Sequence, residues 1–183
     1  PNFNSVNTDN YNGAYAAVKH LVDLNHTNII FLSGPLNHAS IMQRCQGYQA
    51  CLNQYAKLSN GRIIECGGVS VDDGYRAINA YEKIDFTAIF AANDKLAIGA
   101  IKALKEKGFR IPEDISIVGF DDIEWGLHTD PPLTTVRVAK QQIGMLAAQL
   151  FINLSNKKVI HPVDIRVSTK LIERNSTARA KKS

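Results

Sequence analysis

Apolar residues along this chain fall into two kinds of run that alternate. Short continuous runs cover residues 28–33, 88–92 and 115–120. They are too short for helices and apolar on both faces, as buried parallel strands are. Between them, apolar residues recur at helical spacing. The clearest instance spans residues 87–122. Ala88-Ile89-Phe90-Ala91-Ala92 is followed by Asn93 and Asp94, both good N-cap residues. Leu96, Ile98, Ala100, Ile101 and Leu104 then mark one helical face, and Gly108 supplies a stop. Arg110-Ile111-Pro112-Glu113-Asp114 turns the chain into the next apolar run, which ends at Asp121 and Asp122. Strand, helix, strand in this order makes a right-handed crossover with both strand ends on one edge. Asn93 and Asp121 are therefore expected on one rim, where open α/β sheets bind ligands.

The same alternation predicts the other elements. Asp9 or Asn12 caps a helix carrying Ala14, Ala17, Val18, Leu21, Val22 and Leu24, ending near Asn25 in the left-handed conformation. The strand over 28–33 stops at Gly34-Pro35. Ser40 is the expected N-cap of a helix running to about Ala56, with Ile41, Cys45, Tyr48 and Leu52 on one side. A short strand over 62–66 ends at Gly67-Gly68, and Asp72 or Asp73 starts a helix holding Tyr75, Ile78 and Tyr81. Trp125, His128, Asp130 and Pro131-Pro132 lie in an irregular loop. Residues 134–138 read as extended. Residues 141–154 form an amphipathic helix with Ile143, Leu146, Ala147, Leu150 and Ile152, broken off at Ile160-His161-Pro162. Residues 163–172 alternate loosely. The class is α/β with a mostly parallel sheet flanked by helices.

Composition narrows the picture. At 183 residues and 45% hydrophobic content the chain can bury a full core, and no stretch is long and apolar enough to span a membrane. Its start, Pro1-Asn2-Phe3-Asn4, reads as the interior of a longer chain. Cys45, Cys51 and Cys66 have no metal-ligand spacing and read as buried, reduced thiols. The net charge of +4 hints at nucleic acid. However, Arg174, Arg179, Lys181 and Lys182 lie close to the end, where a frayed, solvated tail is the ordinary expectation. There is no nucleophile elbow, dinucleotide fingerprint or P-loop, so no cofactor, metal or catalytic group is expected.

An ordered set of segments carries a family resemblance. FAANDKLAIGAIKALKEKGFRIPEDISIVGFDDIE, followed by PPLTTV at 131–136, resembles the effector-binding domain of the lactose-repressor (LacI/GalR) family. The likeness continues through Asp9-Asn10, Gly13-Ala14, Asn25-His26, Gly34-Pro35, Arg44 with Gly47-Tyr48, and LIERNST at 171–177. It implies a periplasmic-binding-protein-like type I fold, two α/β lobes joined by three crossovers with ligand between them. On this likeness, residues 27–137 and 167–177 form a nearly complete C-terminal lobe. Residues 1–26 and 138–166 are a partial N-terminal lobe, and 178–183 a basic tail. The DNA-binding headpiece lies outside residues 1–183. The implied role is that of a cytoplasmic, homodimeric regulator. It would sense a small sugar-like or purine/nucleoside effector, with operator DNA contacted through the headpiece. A secreted sugar-binding protein of a transporter and a doubly wound enzyme are the rival readings.

The resemblance places ligand contacts at Arg44, Asn93 and Asp121, with Ser40, Asn12 and Trp125 as further candidates. Each has a plainer explanation. Arg44 can be a surface arginine, Asn93 and Ser40 helix caps, Asp121 a solvated strand end, and Trp125 packing under its loop. Asp122 is read as structural. Where several family members carry a stacking aromatic, this chain has Val69, and where Gln is common it has Val138.

Overall fold

The computed structural model describes residues 3–55, 61–156 and 161–181. In chain order the elements are β1 (Ser5–Thr8), α1 (Asn10–Asp23), β2 (Ile29–Ser33), α2 (Ala39–Gln54), β3 (Arg62–Glu65), α3 (Val71–Asn79), β4 (Ala88–Ala91), α4 (Asp94–Glu106) and β5 (Ser116–Asp121). They continue with a 3-10 turn (Glu124–Leu127), β6 (Thr134–Arg137), α5 (Lys140–Ser155), β7 (Asp164–Val167) and β8 (Lys170–Ile172). The expected helix end at Ala56 and break at Ile160 lie outside the described residues.

Six strands form one sheet in the order β3-β2-β4-β5-β6-β8, and β1 and β7 form a separate parallel pair. Every pairing in the large sheet is parallel except β6 with β8. The register sets Leu32 beside Ala91 and Phe90 beside Val118, so the C-terminal ends of β2, β4 and β5 share one edge. That edge is the expected rim. β2 and β4 are buried along their whole length, and β5 from Ser116 to Phe120. This matches their apolar runs.

Local signals explain most helix boundaries. Asp9 caps α1 by accepting from the Asn12 amide (3.2 Å), and Asn25 leaves it at φ 66°. Asn93 caps α4 by accepting from the Leu96 amide (2.8 Å), and Gly108 leaves it at φ 86°, a conformation glycine adopts without steric penalty. Two caps differ from the sequence reading. The residue before α2 is His38, with no side-chain cap bond, and Ser40 lies inside the first turn. Helix α3 starts one residue after Ser70, whose hydroxyl and amide form a capping box with Asp73.

Two placements differ from the sequence reading. Helix α1, expected with the first-lobe remnant, buries Ala14, Ala17, Val18 and Leu21 in the core of the large sheet and packs on α2. Within residues 163–172, β7 joins the small sheet and β8 the large one. The basic C-terminal segment is docked as far as Lys181. The Ser176 carbonyl accepts from the Ile117 amide (2.8 Å), the Ala180 amide donates to Leu24 O (2.9 Å), and Lys181 pairs with Asp114. Arg174 is mostly buried against Asp122. Helix α5 packs on β1 and leaves Met145, Phe151 and Ile152 exposed.

Helices α3 and α4 approach through glycine. A Cβ on Gly99 would overlap the backbone of Val71 and Tyr75, atoms that no side-chain rotation can move aside. Gly99→Val is therefore expected to destabilise the fold by about 3 kcal/mol, the upper part of the overpacking range. Urea denaturation reads this directly, and an unchanged midpoint would contradict the close helix approach.

Candidate functional site

Arg44 is the organising side chain of the rim. It lies in the second turn of α2, buried despite its charge. Its Nε donates to Asn10 Oδ1 (2.9 Å), its Nη1 to the Ala92 carbonyl, and its Nη2 to Asp121 Oδ1 (3.3 Å). The guanidinium lies over the Phe120 ring, 3.8 Å from its centroid. The plane of Arg44 is thus fixed from three sides and by one ring face. These bonds take three of its five N–H donors. Asp121 stands at the end of β5 at φ 106°, a strained backbone for a non-glycine residue.

A cleft of about 240 Å³ opens over this group, lined by His38, Ser40, Ile41, Arg44, Val69, Ala92, Asn93 and Asp121. Ile41, Val69 and Ala92 supply apolar wall, and Arg44, Asn93 and Asp121 supply polar groups. The volume falls just below the roughly 300–1,000 Å³ of complete small-molecule sites. It fits one wall of a binding site. Of the six residues singled out from sequence, the structure brings Arg44, Asn93, Asp121 and Ser40 together here. Asn93 already uses both ends of its amide, accepting from Leu96 and donating to Val69 O (3.0 Å). Asn12 does not line the cleft, and its amide bonds Asp9 (2.6 Å). Trp125 also lies outside the lining and is 65% exposed, so it does not pack beneath its loop. Val138 lines a neighbouring cleft with Arg137 and Lys140.

The electrostatics separate three neighbouring aspartates. Burial raises the Asp121 carboxyl, and Arg44 beside it works in the opposite direction. Burial likewise lowers Arg44, opposed by Asp121. Burial also pushes on Asp122, but the guanidiniums of Arg174 and Arg137 overcome it and hold that carboxyl below the ordinary range. Asp122 is therefore a structural tie between β5, β6 and the C-terminal segment. Asp94 is fully buried and pushed up to about 7 by that burial. Its oxygens accept from the Ile123 amide (2.8 Å) and the Thr135 hydroxyl.

Sequence reasoning missed Asn10 and His38. Asn10 lay inside the Asp9-Asn10 match, but nothing in the spacing indicated its bond to Arg44. Cys45, Cys51 and Cys66 are all buried and free. Burial raises the first and pushes the other two to about 11, so their thiols stay protonated. Among the described residues no cluster of three or more His, Cys, Asp or Glu side chains could hold a metal. No helix among them is long and apolar enough to cross a membrane.

A parallel sheet with a polar cleft at its strand ends, beside a second small sheet reached by crossovers, defines a class of ligand-binding α/β domain. The model of the periplasmic binding protein-like domain family matches residues 18–177, and the fold is of that family's type I form. The chain belongs to the LacI family of transcriptional regulators, as part of its effector-binding domain. It is 34% identical over 179 residues to the HTH-type transcriptional repressor PurR of Histophilus somni, covering 96% of this chain and 53% of that protein. A LacI family transcriptional regulator from Enterococcus faecalis, crystallised with bound ribose, superposes with a TM-score of 0.90. The two are 33% identical, over 99% of this chain and 66% of that one. The lac repressor dimer bound to operator and the anti-inducer ONPF superposes at 0.89, with 31% identity, over 97% of this chain and 53% of that one. The chain spans about half the length of the curated relatives it matches.

Proposed function

We propose that this chain is the ligand-sensing part of a cytoplasmic, homodimeric LacI-type regulator. It performs no chemistry. A small sugar-like effector binds in the rim cleft between two lobes, and the resulting change in lobe arrangement alters operator affinity of a DNA-binding headpiece in the full-length protein. The single observation that carries this reading is the fixed Arg44–Asp121 pair beside Asn93 at the strand ends. The pair offers guanidinium donors and carboxylate acceptors that can take ligand hydroxyls. The ribose held by the Enterococcus faecalis regulator agrees with it. The lobe division we propose follows the sheets, with β1, α5 and β7 in one lobe and α1 to β6 with β8 in the other. The likeness to regulators favours this function over a transporter's sugar-binding protein.

A second reading, a purine-base effector, is favoured by the PurR relatives. Val69 in the cleft wall argues against it, because an aliphatic side chain offers no ring face for stacking. Calorimetric titration with D-ribose and with hypoxanthine separates the two. Ribose is expected to bind, and Asp121→Asn to weaken it about tenfold by removing a charge-assisted acceptor. Binding of hypoxanthine alone would move the effector to the purine class. Binding of neither, or ribose affinity unchanged in Asp121→Asn, would remove the site assignment.

A further inference from the structure

Arg44 is held at its Nε by one side chain, and that side chain stands at the junction of the two sheets. Asn10 is the first residue of α1, separated by Asp9 from the end of β1. It is 6% exposed. Its Oδ1 accepts from Arg44 Nε (2.9 Å), and its Nδ2 donates to the Thr8 carbonyl (3.2 Å) and to Gln43 Oε1 (3.3 Å). Thr8 closes β1, where it pairs with Val167 of β7. A continuous polar chain therefore runs from Asp121 on the rim through Arg44 and Asn10 to Thr8 in the small sheet.

The packing around Asn10 makes that chain stiff. A Cβ on Gly47 of α2 would overlap the Tyr11 carbonyl, and one on Gly13 would meet the Phe120 ring and Thr169. The start of α1 is thus seated directly on α2, on β5 and on the connection between β7 and β8. Asn10, in the first turn of α1, shares that seating. Its amide is the only uncharged side-chain type that offers an acceptor to Nε–H and donors to two carbonyl oxygens at once.

We propose that Asn10 is a positioning residue. It sets the plane of the Arg44 guanidinium for the ligand and ties that plane to β1. A ligand that pulls on Arg44 then pulls, through one amide, on the crossover from β1 to α1. The inference deepens the effector-binding reading and rests on it for its purpose. Its test needs no ligand, so its failure is distinct from the failure of that reading.

The test uses three variants of this chain and two readouts by NMR, the exchange rate of the Arg44 Nε–H and that of the backbone amides in β1 and β7. Asn10→Leu removes acceptor and donors. It is expected to speed exchange of the Arg44 Nε–H by about tenfold or more, and of the β1–β7 amides as well. Asn10→Asp keeps the acceptor and loses the donors. It is expected to leave Arg44 protected while β1–β7 exchange rises. Arg44→Lys, which touches neither small-sheet strand, is expected to raise β1–β7 exchange by a few-fold. The amides of Phe31, Ile89 and Val118 serve as the measure of an intact core. If Asn10→Leu leaves the Arg44 Nε–H as protected as before, the positioning role is overturned. It is equally overturned if Asn10→Asp and Asn10→Leu expose Arg44 alike. If Arg44→Lys leaves β1–β7 exchange unchanged, the tie to the crossover is overturned. Should Asn10→Leu fail to fold, Asn10→Ala, which also lacks the acceptor and the donors, takes its place with the same outcomes.

Discussion

Arg44→Met is expected to weaken ligand binding in the rim cleft about a hundredfold and to destabilise the fold by about 2–4 kcal/mol. The two effects share one cause. The guanidinium is buried, stacked on Phe120 and bonded to Asn10, Ala92 and Asp121. Methionine replaces the volume and keeps contact with the ring, so packing changes little. What is lost is the set of donors. Asn10 Oδ1 and the Ala92 carbonyl are left facing an apolar side chain, and the Asp121 carboxylate loses its counter-ion. The Asp121 side chain is 31% exposed, so solvent relieves part of that last penalty and keeps the cost near the lower end for a broken buried pair. Without Arg44 the burial of Asp121 is unopposed by its nearest cation, and its carboxyl titrates higher than in the parent. A double-mutant cycle with Asp121→Asn reads the pair alone. A coupling energy of about 1–3 kcal/mol is expected from urea denaturation. Strict additivity would mean that the two groups act independently, and the account of the rim would fail with it.

Asp94→Leu is expected to destabilise the fold by about 2–4 kcal/mol, while Asp94→Asn costs little and removes a pH dependence. The carboxyl ties the first turn of α4 to the Ile123 amide and the Thr135 hydroxyl, and leucine leaves both donors unpaired. Asparagine still accepts from Ile123 through its oxygen, and its amide donates to Thr135 once that hydroxyl turns. The pH effect follows from the direction of the shift. The folded value is raised to about 7 by burial, above the ordinary carboxyl value of 3.8 in the unfolded chain. Between those values the folded protein holds a proton that the unfolded chain has released. The contribution of Asp94 is therefore complete below the unfolded value and is lost as pH rises through the folded one. At about 1.4 kcal/mol per pH unit for a whole proton, the parent should lose about 1–3 kcal/mol more between pH 5 and pH 8 than Asp94→Asn does. Parallel pH profiles for the two proteins would show that Asp94 stays charged throughout.

The parts of this fold that local chemistry specifies were readable in the sequence. Residues 88–121 combine continuous apolar strands with a capping Asn93 and a terminating Gly108, and each signal acts within a few residues of the element it defines. Strand β1 was not readable. Ser-Val-Asn-Thr has no apolar face to detect, and it is extended because it pairs with Asp164–Val167, far away in sequence. The start of α2 misled in another way. Ser40 is the better capping residue, but the chain enters the helix at Ala39, so Ser40 faces the cleft rim from inside the first turn. Within the site, Arg44, Asn93 and Asp121 came from the family likeness together with their strand-end positions. Asn10 did not, because its role is a tertiary contact with a residue on another helix. Trp125 shows the reverse error, a large aromatic side chain expected to pack that stands in solvent.

The docked C-terminal segment has a consequence for how this protein emerges from the ribosome. Ser176 fills the gap between β5 and β6, bonding Ile117 on one and Thr134 on the other, and Ala180 reaches back to Leu24. A nascent chain that has released everything through β6 still lacks those partners and the edge strand β8. It also lacks β7, the strand that β1 pairs with in this structure. The β8 edge of the large sheet and the β1–β7 pair are therefore completed only after translation of nearly all of these residues, and until then β6 stands as the edge of the large sheet.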